Sequence, residues 1–196
     1  MKIVFKFILA VALPVCVLAG LARPSRAEGV YFSTRDLLAD FFRSSERVTF
    51  KKIAVGSVER QRLLSRLGYA PEKPSYTFYV ASTGGHVDGY ALIDDEMGQH
   101  LPITFAVKLS PGGMIERQEI VVYREARGDE VRDERFRKQF VGKTAADALG
   151  EDVVAISGAT ISSKAMAVGV RRALVLFDEL VRPSQLAAAA AGKPTL

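Results

Sequence analysis

Residues 155–174, AISGATISSKAMAVGVRRAL, join two unlike compositions. The first part is small and hydroxylic: Ser157, Gly158, Ala159, Thr160, Ser162 and Ser163. The second is an apolar and basic run with helical spacing. A helix that starts near Thr160 to Ser162 presents free backbone N–H groups and its positive dipole end to the SGAT segment. Small residues let the backbone approach a ligand closely, and hydroxyls add donors. These features together describe an anion site suited to a phosphate. The same residues also read as plain Ser/Thr capping of a helix start. Composition by itself leaves both readings open.

Other chemistry-bearing residues form weaker patterns. His86 and His100 are the only histidines, and Asp88, Asp94, Asp95 and Glu96 lie near them. Their spacing matches no recognised metal-ligand set, so they read as solvated loop residues and no metal is expected. The run Asp94-Asp95-Glu96 reads as a charged turn. Ser163 and Lys164 are adjacent on the expected helix, and neighbours on a helix do not face each other, so a Ser/Lys nucleophile has no support. The chain has no Gly-x-Ser-x-Gly, no P-loop and no Gly-x-Gly-x-x-Gly after a strand. No catalytic residue is therefore assigned, and hydrolase and nucleotide-hydrolysing classes have no positive sign.

The elements that must position the SGAT segment follow from patterning. Helix spacing continues through Met166, Val170, Ala173, Phe177 and Leu180, with Lys164, Arg171 and Arg172 off that stripe. Upstream, SYTFYVAST (75–83) is aromatic and β-branched. GGHVDGYALIDDEMG (84–98) opens on a Gly-Gly turn and runs on as a strand through Tyr90, Leu92 and Ile93. PITFAVKLSPGGMIERQEIVVYRE (102–125) reads as two strands joined by SPGG. The sum is an antiparallel meander, not βαβ units. RDERFRKQFVGK (132–143) reads as a short helix and TAADALGED (144–152) as a turn or helix. Between residues 28 and 74 two helices are expected. STRDLLADFFRSSERV has Ser33 or Thr34 as its N-cap, and VERQRLLSRLGYAPEKP ends at Gly68.

The N-terminus has a different character. Lys2 and Lys6 precede an apolar stretch from Phe7 to Ala22, and RPSRAEG follows with Ser25 and Ala27 at small-x-small spacing. This predicts a secretory signal peptide over 1–27, cut after Ala27, with a retained membrane anchor as the competing reading. The net charge of +5 changes meaning in consequence. Of the 27 basic residues, four (Lys2, Lys6, Arg23 and Arg26) lie in this segment, and the remaining 23 nearly balance the 22 acidic ones. No nucleic-acid partner is expected. The single cysteine, Cys16, also lies there. Past Ala27 the chain can form no disulfide, thiolate nucleophile, Cys-held zinc or iron–sulfur site. Redox chemistry would need a borrowed cofactor.

SGATISS ahead of an amphipathic helix resembles the flavinylation motif of the FMN-binding domain family. That domain occurs in Rnf-type complex G subunits, in the C subunit of the sodium-translocating NADH:quinone reductase and in standalone secreted proteins. The resemblance extends over residues 76 to 180, through GYALIDDEMGQHLPITFAVKLSPGGMIERQEIVVYREARGDE and FRKQFVGK. It implies FMN held covalently by a phosphoester to Thr160, installed by a flavin transferase with FAD as donor. Ser157, Gly158, Ala159, Ser162 and Ser163 would surround the link. The strand entering at Tyr90 would lie near the flavin. Glu125, beside Arg124, is either half of a surface ion pair or a wall of the flavin pocket. Val154 stands where the family commonly has Asp, with Asp152 two residues back. Glu125-Ala126-Arg127-Gly128 stands for the family's Glu-Thr-Pro-Gly type loop.

The expected protein is thus α+β, an antiparallel sheet packed with helices, a single domain after the signal. Its segments are 1–27 signal, 28–74 N-terminal helical segment, 75–182 FMN-binding domain and 183–196 flexible tail, disordered or loosely helical. The expected function is electron transfer by an exported, periplasmic or extracytoplasmic flavoprotein, as a redox subunit rather than a stand-alone enzyme. Its partners would be a redox protein or a membrane electron-transport complex. A non-catalytic module that binds FMN or another phosphate ligand, and an accessory subunit of a membrane complex, are the alternatives.

Overall fold

A computed structural model describes residues 29–150 and 152–190, so the expected signal peptide and its cleavage point lie outside the described residues. A six-stranded antiparallel sheet carries helices on both faces, the α+β class expected. In chain order the elements are β1 (Gly29–Val30), α1 (Thr34–Phe41), β2 (Arg47–Ala54), α2 (Ser57–Leu67), β3 (Ser75–Thr83), β4 (His86–Met97), β5 (Pro102–Leu109) and β6 (Ile115–Tyr123). A 3₁₀ turn (Asp129–Arg132), α3 (Glu134–Arg137), α4 (Thr160–Leu180) and α5 (Arg182–Ala190) follow. The sheet order is β1-β6-β5-β4-β3-β2, every pairing antiparallel.

The meander over β3 to β6 matches its expected form. Gly84 and Gly85 turn β3 into β4, and Ser110 to Gly113 turn β5 into β6, where Gly113 N–H donates to Ser110 O at 2.9 Å. Every residue of the expected stripe on α4 is buried: Met166, Val170, Ala173, Phe177 and Leu180. They pack with α2 on one sheet face, against Phe78, Leu92, Ile103, Phe105 and Val107. On the other face α1 brings Leu37, Phe41 and Phe42 to Ala81, Ala91, Ala106 and Val121. Ser33 starts α1 by accepting from Asp36 N–H at 3.1 Å.

Two expectations are corrected. The segment 28–74 is not purely helical, because Arg47–Ala54 is a strand paired with β3 along its whole length. As an edge strand exposed on both faces it has no alternation of buried and exposed residues to betray it. Asp94, Asp95 and Glu96 form no turn but the last part of β4, where Asp94 is buried. Its charge is matched by Arg172 of α4, which lies off the apolar stripe yet is itself buried. Arg172 Nε and Nη2 donate to Asp94 Oδ2 at 3.0 and 2.8 Å, Nη2 donates to Asp95 O at 2.7 Å, and Nη1 donates to Glu96. Burial opposes that charge, but the two carboxylates outweigh it and hold the guanidinium above its ordinary range. Of the expected tail, residues 183–190 lie in α5, which starts at Arg182, and Gln185 Nε2 donates to Tyr90 Oη at 2.7 Å.

Candidate functional site around Thr160

Alpha-helix α4 begins where sequence patterning put it, at Thr160, and runs for 21 residues. The way it begins decides between a capped helix and an open one. Its N-cap is Ala159, which has no side chain able to cap. Gly158 precedes it at φ +86°, a left-handed turn that suits glycine and delivers the chain into the helix axis. Both nearby hydroxyls of the helix are employed elsewhere. Ser163, 1% exposed, donates to Ala159 O at 2.9 Å and accepts from Ile156 N–H at 3.1 Å. Ser162, 3% exposed, bonds the Tyr123 hydroxyl at 2.8 Å. Among the described residues, no hydrogen bond reaches the N–H groups of Thr160, Ile161 or Ser162. The positive end of a long helix is therefore open, with the exposed Thr160 hydroxyl beside it.

The opposite wall comes from the end of β6 and the loop after it. A cleft of about 280 Å³ is lined by Gln99, Glu125, Arg127 and Gly128 on one side and by Gly158 to Ser162 on the other. Tyr123 ties the two walls together, since its hydroxyl also donates to Arg127 O at 2.5 Å. Burial raises the Tyr123 pKa, partly offset by the Ser162 bond. Gly128 sits at φ +94°, and a Cβ there would come within 2.5 Å of both Ser162 Oγ and Tyr123 Oη. Glu125 Oε1 accepts from His100 N–H at 2.7 Å and Leu101 N–H at 3.1 Å, which holds the β4–β5 loop at the rim. Behind the SGAT turn, Gln139 clasps Val154 through both backbone groups, accepting from its N–H at 2.8 Å and donating to its carbonyl at 3.2 Å.

The residues predicted from sequence divide accordingly. Thr160, Gly158, Ala159, Ser162 and Glu125 share the cleft. Ser157 lies on the exposed turn before it. Ser163 faces inward and braces the turn. Tyr90 is not brought to the site. Its buried ring meets Phe177 at 5.1 Å, near the far end of α4, about 25 Å along the helix from Thr160. The antiparallel register places Tyr90 opposite Leu109 and Val80, at the end of the sheet where α4 finishes. Sequence reading missed Tyr123 and Gln139 as supports, because both act through backbone or hydroxyl partners distant in the chain. His86 and His100 are exposed, and no group of His, Cys, Asp and Glu able to hold a metal exists among the described residues.

Both walls of the cleft lie within residues 98–175, the segment that matches the model of the FMN-binding domain family. That segment belongs to the FMN-binding domain family. It holds β5, β6, the loop with Glu125 to Gly128, and most of α4, so the FMN-binding domain contributes every lining residue named above. Among solved structures, the crystal structure of Shewanella oneidensis NqrC is similar at 16% identity and a TM-score of 0.49. That similarity covers 74% of this chain and 84% of that one. A search of curated proteins finds no match. The donor set of the cleft fits FMN at its phosphate end: open N–H groups, a hydroxyl, and Arg127 as a cation in the lining.

Proposed function

We propose that this chain is an exported flavoprotein that carries FMN on Thr160 through a phosphoester and passes electrons between a membrane or soluble donor and an extracytoplasmic acceptor. One observation carries the reading. Thr160 offers an exposed hydroxyl at an uncapped helix start, while the two hydroxyls that follow it are committed to Tyr123 and to Ile156 and Ala159. A helix that needed only a cap would have spent a hydroxyl on its own N–H groups.

When bound, FMN supplies reversible uptake and release of electrons, which no side chain of this domain provides. The chain's own residues bind and orient. The N–H groups of the first turn of α4 offset a phosphodiester charge, worth about 0.3–1 kcal/mol from the dipole. Gly128 admits the close approach of Ser162 and Tyr123 where a side chain would intrude, and Gly158 takes the left-handed turn that leads the chain into α4. Tyr123 and Ser162 keep the two walls at a fixed separation. Glu125 orders the loop at the rim. A covalent link also suits a compartment without a flavin pool, since it keeps the cofactor from diffusing away. We assign export to residues 1–27, with Glu28 as the first residue of the mature chain. Maturation requires a flavin transferase with FAD as donor. The redox partner is a protein or a membrane electron-transport complex.

The test is to export the chain in the presence of an active flavin transferase. Flavin fluorescence is then read in a denaturing gel and the adduct mapped by peptide mass spectrometry. The wild type and Ser157→Ala are expected to carry an FMN-sized adduct on Thr160, and Thr160→Ala none. Thr160→Ala should fold, because the side chain is exposed and alanine is a good helix former. An adduct that survives on Thr160→Ala, or a wild type left unmodified by an active transferase, would overturn the proposal.

A further inference from the structure

The two edges of the sheet are treated differently. Beside β6 the open edge is filled piece by piece. Beta-strand β1 pairs with Val122 and Tyr123, Tyr31 N–H donates to Val121 O at 2.9 Å, and Arg137 Nη1 donates to Gln118 O at 2.8 Å. Ile115 exchanges bonds with Lys143 and Gly142 at 2.9 and 2.8 Å. On the opposite edge, β2 pairs with β3 over all eight residues, and no hydrogen bond reaches its outer row among the described residues. It contains no proline, glycine or bulge. Unpaired strand edges of this length template further pairing unless guarded.

The face of the sheet is open at the same place. Six strands span about 24 Å, whereas α1, with eight residues, is about 12 Å long. It covers the middle of its face and leaves the β2 side bare. Val48 and Phe50 point to that face, opposite Ala81 and Tyr79, and Phe50 is 72% exposed. Charge is equally one-sided. Arg47, Lys51 and Lys52 are exposed, the strand has no acid, and no carboxylate pairs with these three among the described residues.

We infer that β2 is a docking edge for an extended acidic segment of a partner protein, which adds to the sheet as a further strand. Backbone groups on the outer row of β2 would supply the ladder. An apolar side chain would pack across from Phe50, and carboxylates would lie across from Lys51 and Lys52 on the two faces. The cations reject the other occupants. Antiparallel pairing with a second copy offers no carboxylate to Arg47, Lys51 or Lys52, because the strand has no acid, and in the register centred on Lys51 it sets that residue against itself. The chain's own end segments carry Lys2, Lys6, Arg23, Arg26 and Lys193 with no acid before Glu28, so they do not complement the edge. An anionic membrane could meet the charges and Phe50, but it cannot satisfy the unpaired backbone row. The inference stands apart from the flavin reading, because β2 lies outside the residues that match the FMN-binding family.

The test is a titration of the full chain with a labelled peptide of the same length as β2, bearing Asp and Glu across from Lys51 and Lys52 and Val across from Phe50. Binding is expected, with slowed amide exchange over residues 47–54. A lysine version of the peptide, and the acidic peptide N-methylated at alternate residues, should bind at least about tenfold more weakly. The double variant Lys51→Glu, Lys52→Glu should lose about tenfold in affinity, and Lys51→Arg, Lys52→Arg should retain it. Both variants alter only exposed side chains, and circular dichroism checks their folding. Absence of binding by the acidic peptide, or equal binding of the N-methylated peptide or by the charge-reversed variant, overturns the inference. So does a dimer in sedimentation equilibrium that the charge reversal alters, or charge-reversal-sensitive binding to phosphatidylserine vesicles without peptide binding.

Discussion

The Tyr123 hydroxyl and the Ser162 hydroxyl, 39 residues apart in the chain, lie 2.8 Å apart in the interior. One ends β6 and the other sits in the first turn of α4. Their contact makes a helix start and a strand end into the two walls of a single cleft. The Tyr123 hydroxyl is also held by Arg127 O, so the loop after β6 closes over the same point.

Gly128→Ala is expected to be severely destabilising. The residue is at φ +94°, and the new Cβ would stand 2.5 Å from both hydroxyls of the Tyr123–Ser162 pair. Strain and overpacking together should cost about 2–4 kcal/mol. Urea denaturation measures it, and a loss under about 1 kcal/mol would show that the loop can give way.

Ser163→Ala should act on the turn rather than on attachment chemistry. It strips the acceptor from Ile156 N–H and the donor from Ala159 O. A loss of about 1–2 kcal/mol is expected, with faster amide exchange at Ile156. Thr160→Ala, by contrast, should leave stability within about 0.5 kcal/mol of wild type. The pair of denaturation curves separates a bracing hydroxyl from an exposed one.

Arg172→Met should destabilise the fold by about 3–5 kcal/mol, since it leaves the buried Asp94 carboxylate with only Lys73 as its partner. Adding Asp94→Asn to Arg172→Met should recover part of the loss, because the uncompensated charge is then gone. A double variant no more stable than Arg172→Met would argue that packing, not charge, sets the cost.

Alkaline unfolding should show the buried tyrosines. Burial, followed by the Asp94 carboxylate, pushes Tyr76 from 10.0 up to about 12. Burial also raises Tyr90 and Tyr123. Above pH 10 the unfolded chain releases the Tyr76 proton while the native chain keeps it, so stability falls as pH rises from 10 toward 12. Tyrosinate absorbance should therefore rise in two stages, the later one coincident with loss of structure. Tyr76→Phe should flatten the pH dependence of stability in that window. An unchanged slope would show that Tyr76 ionises in the folded state as it does in the unfolded one.

Local pattern was enough for much of the molecule. The meander from residue 75 to 123 is legible because Gly-Gly and Ser-Pro-Gly-Gly turns separate β-branched and aromatic runs. The stripe from Met166 to Leu180 is legible because four-and-three spacing projects to one helix face. Thr160 is legible as the start of that helix, and its motif resembles that of the FMN-binding family. What the chain could not declare in one dimension are the encounters between distant segments. Arg172 looks like a surface cation until α4 is laid on β4, where Asp94 has been waiting in the interior. Tyr90 looks like a companion of Thr160 until the antiparallel register carries it to the opposite end of α4. Ser162 and Ser163 look like equals of Thr160, and only packing turns their hydroxyls inward and leaves the Thr160 hydroxyl exposed beside the open N–H groups of the first turn. The reason is physical. Periodicity reports which face of an element is buried, but the partner of a buried polar group is chosen by register and packing, which no local stretch encodes.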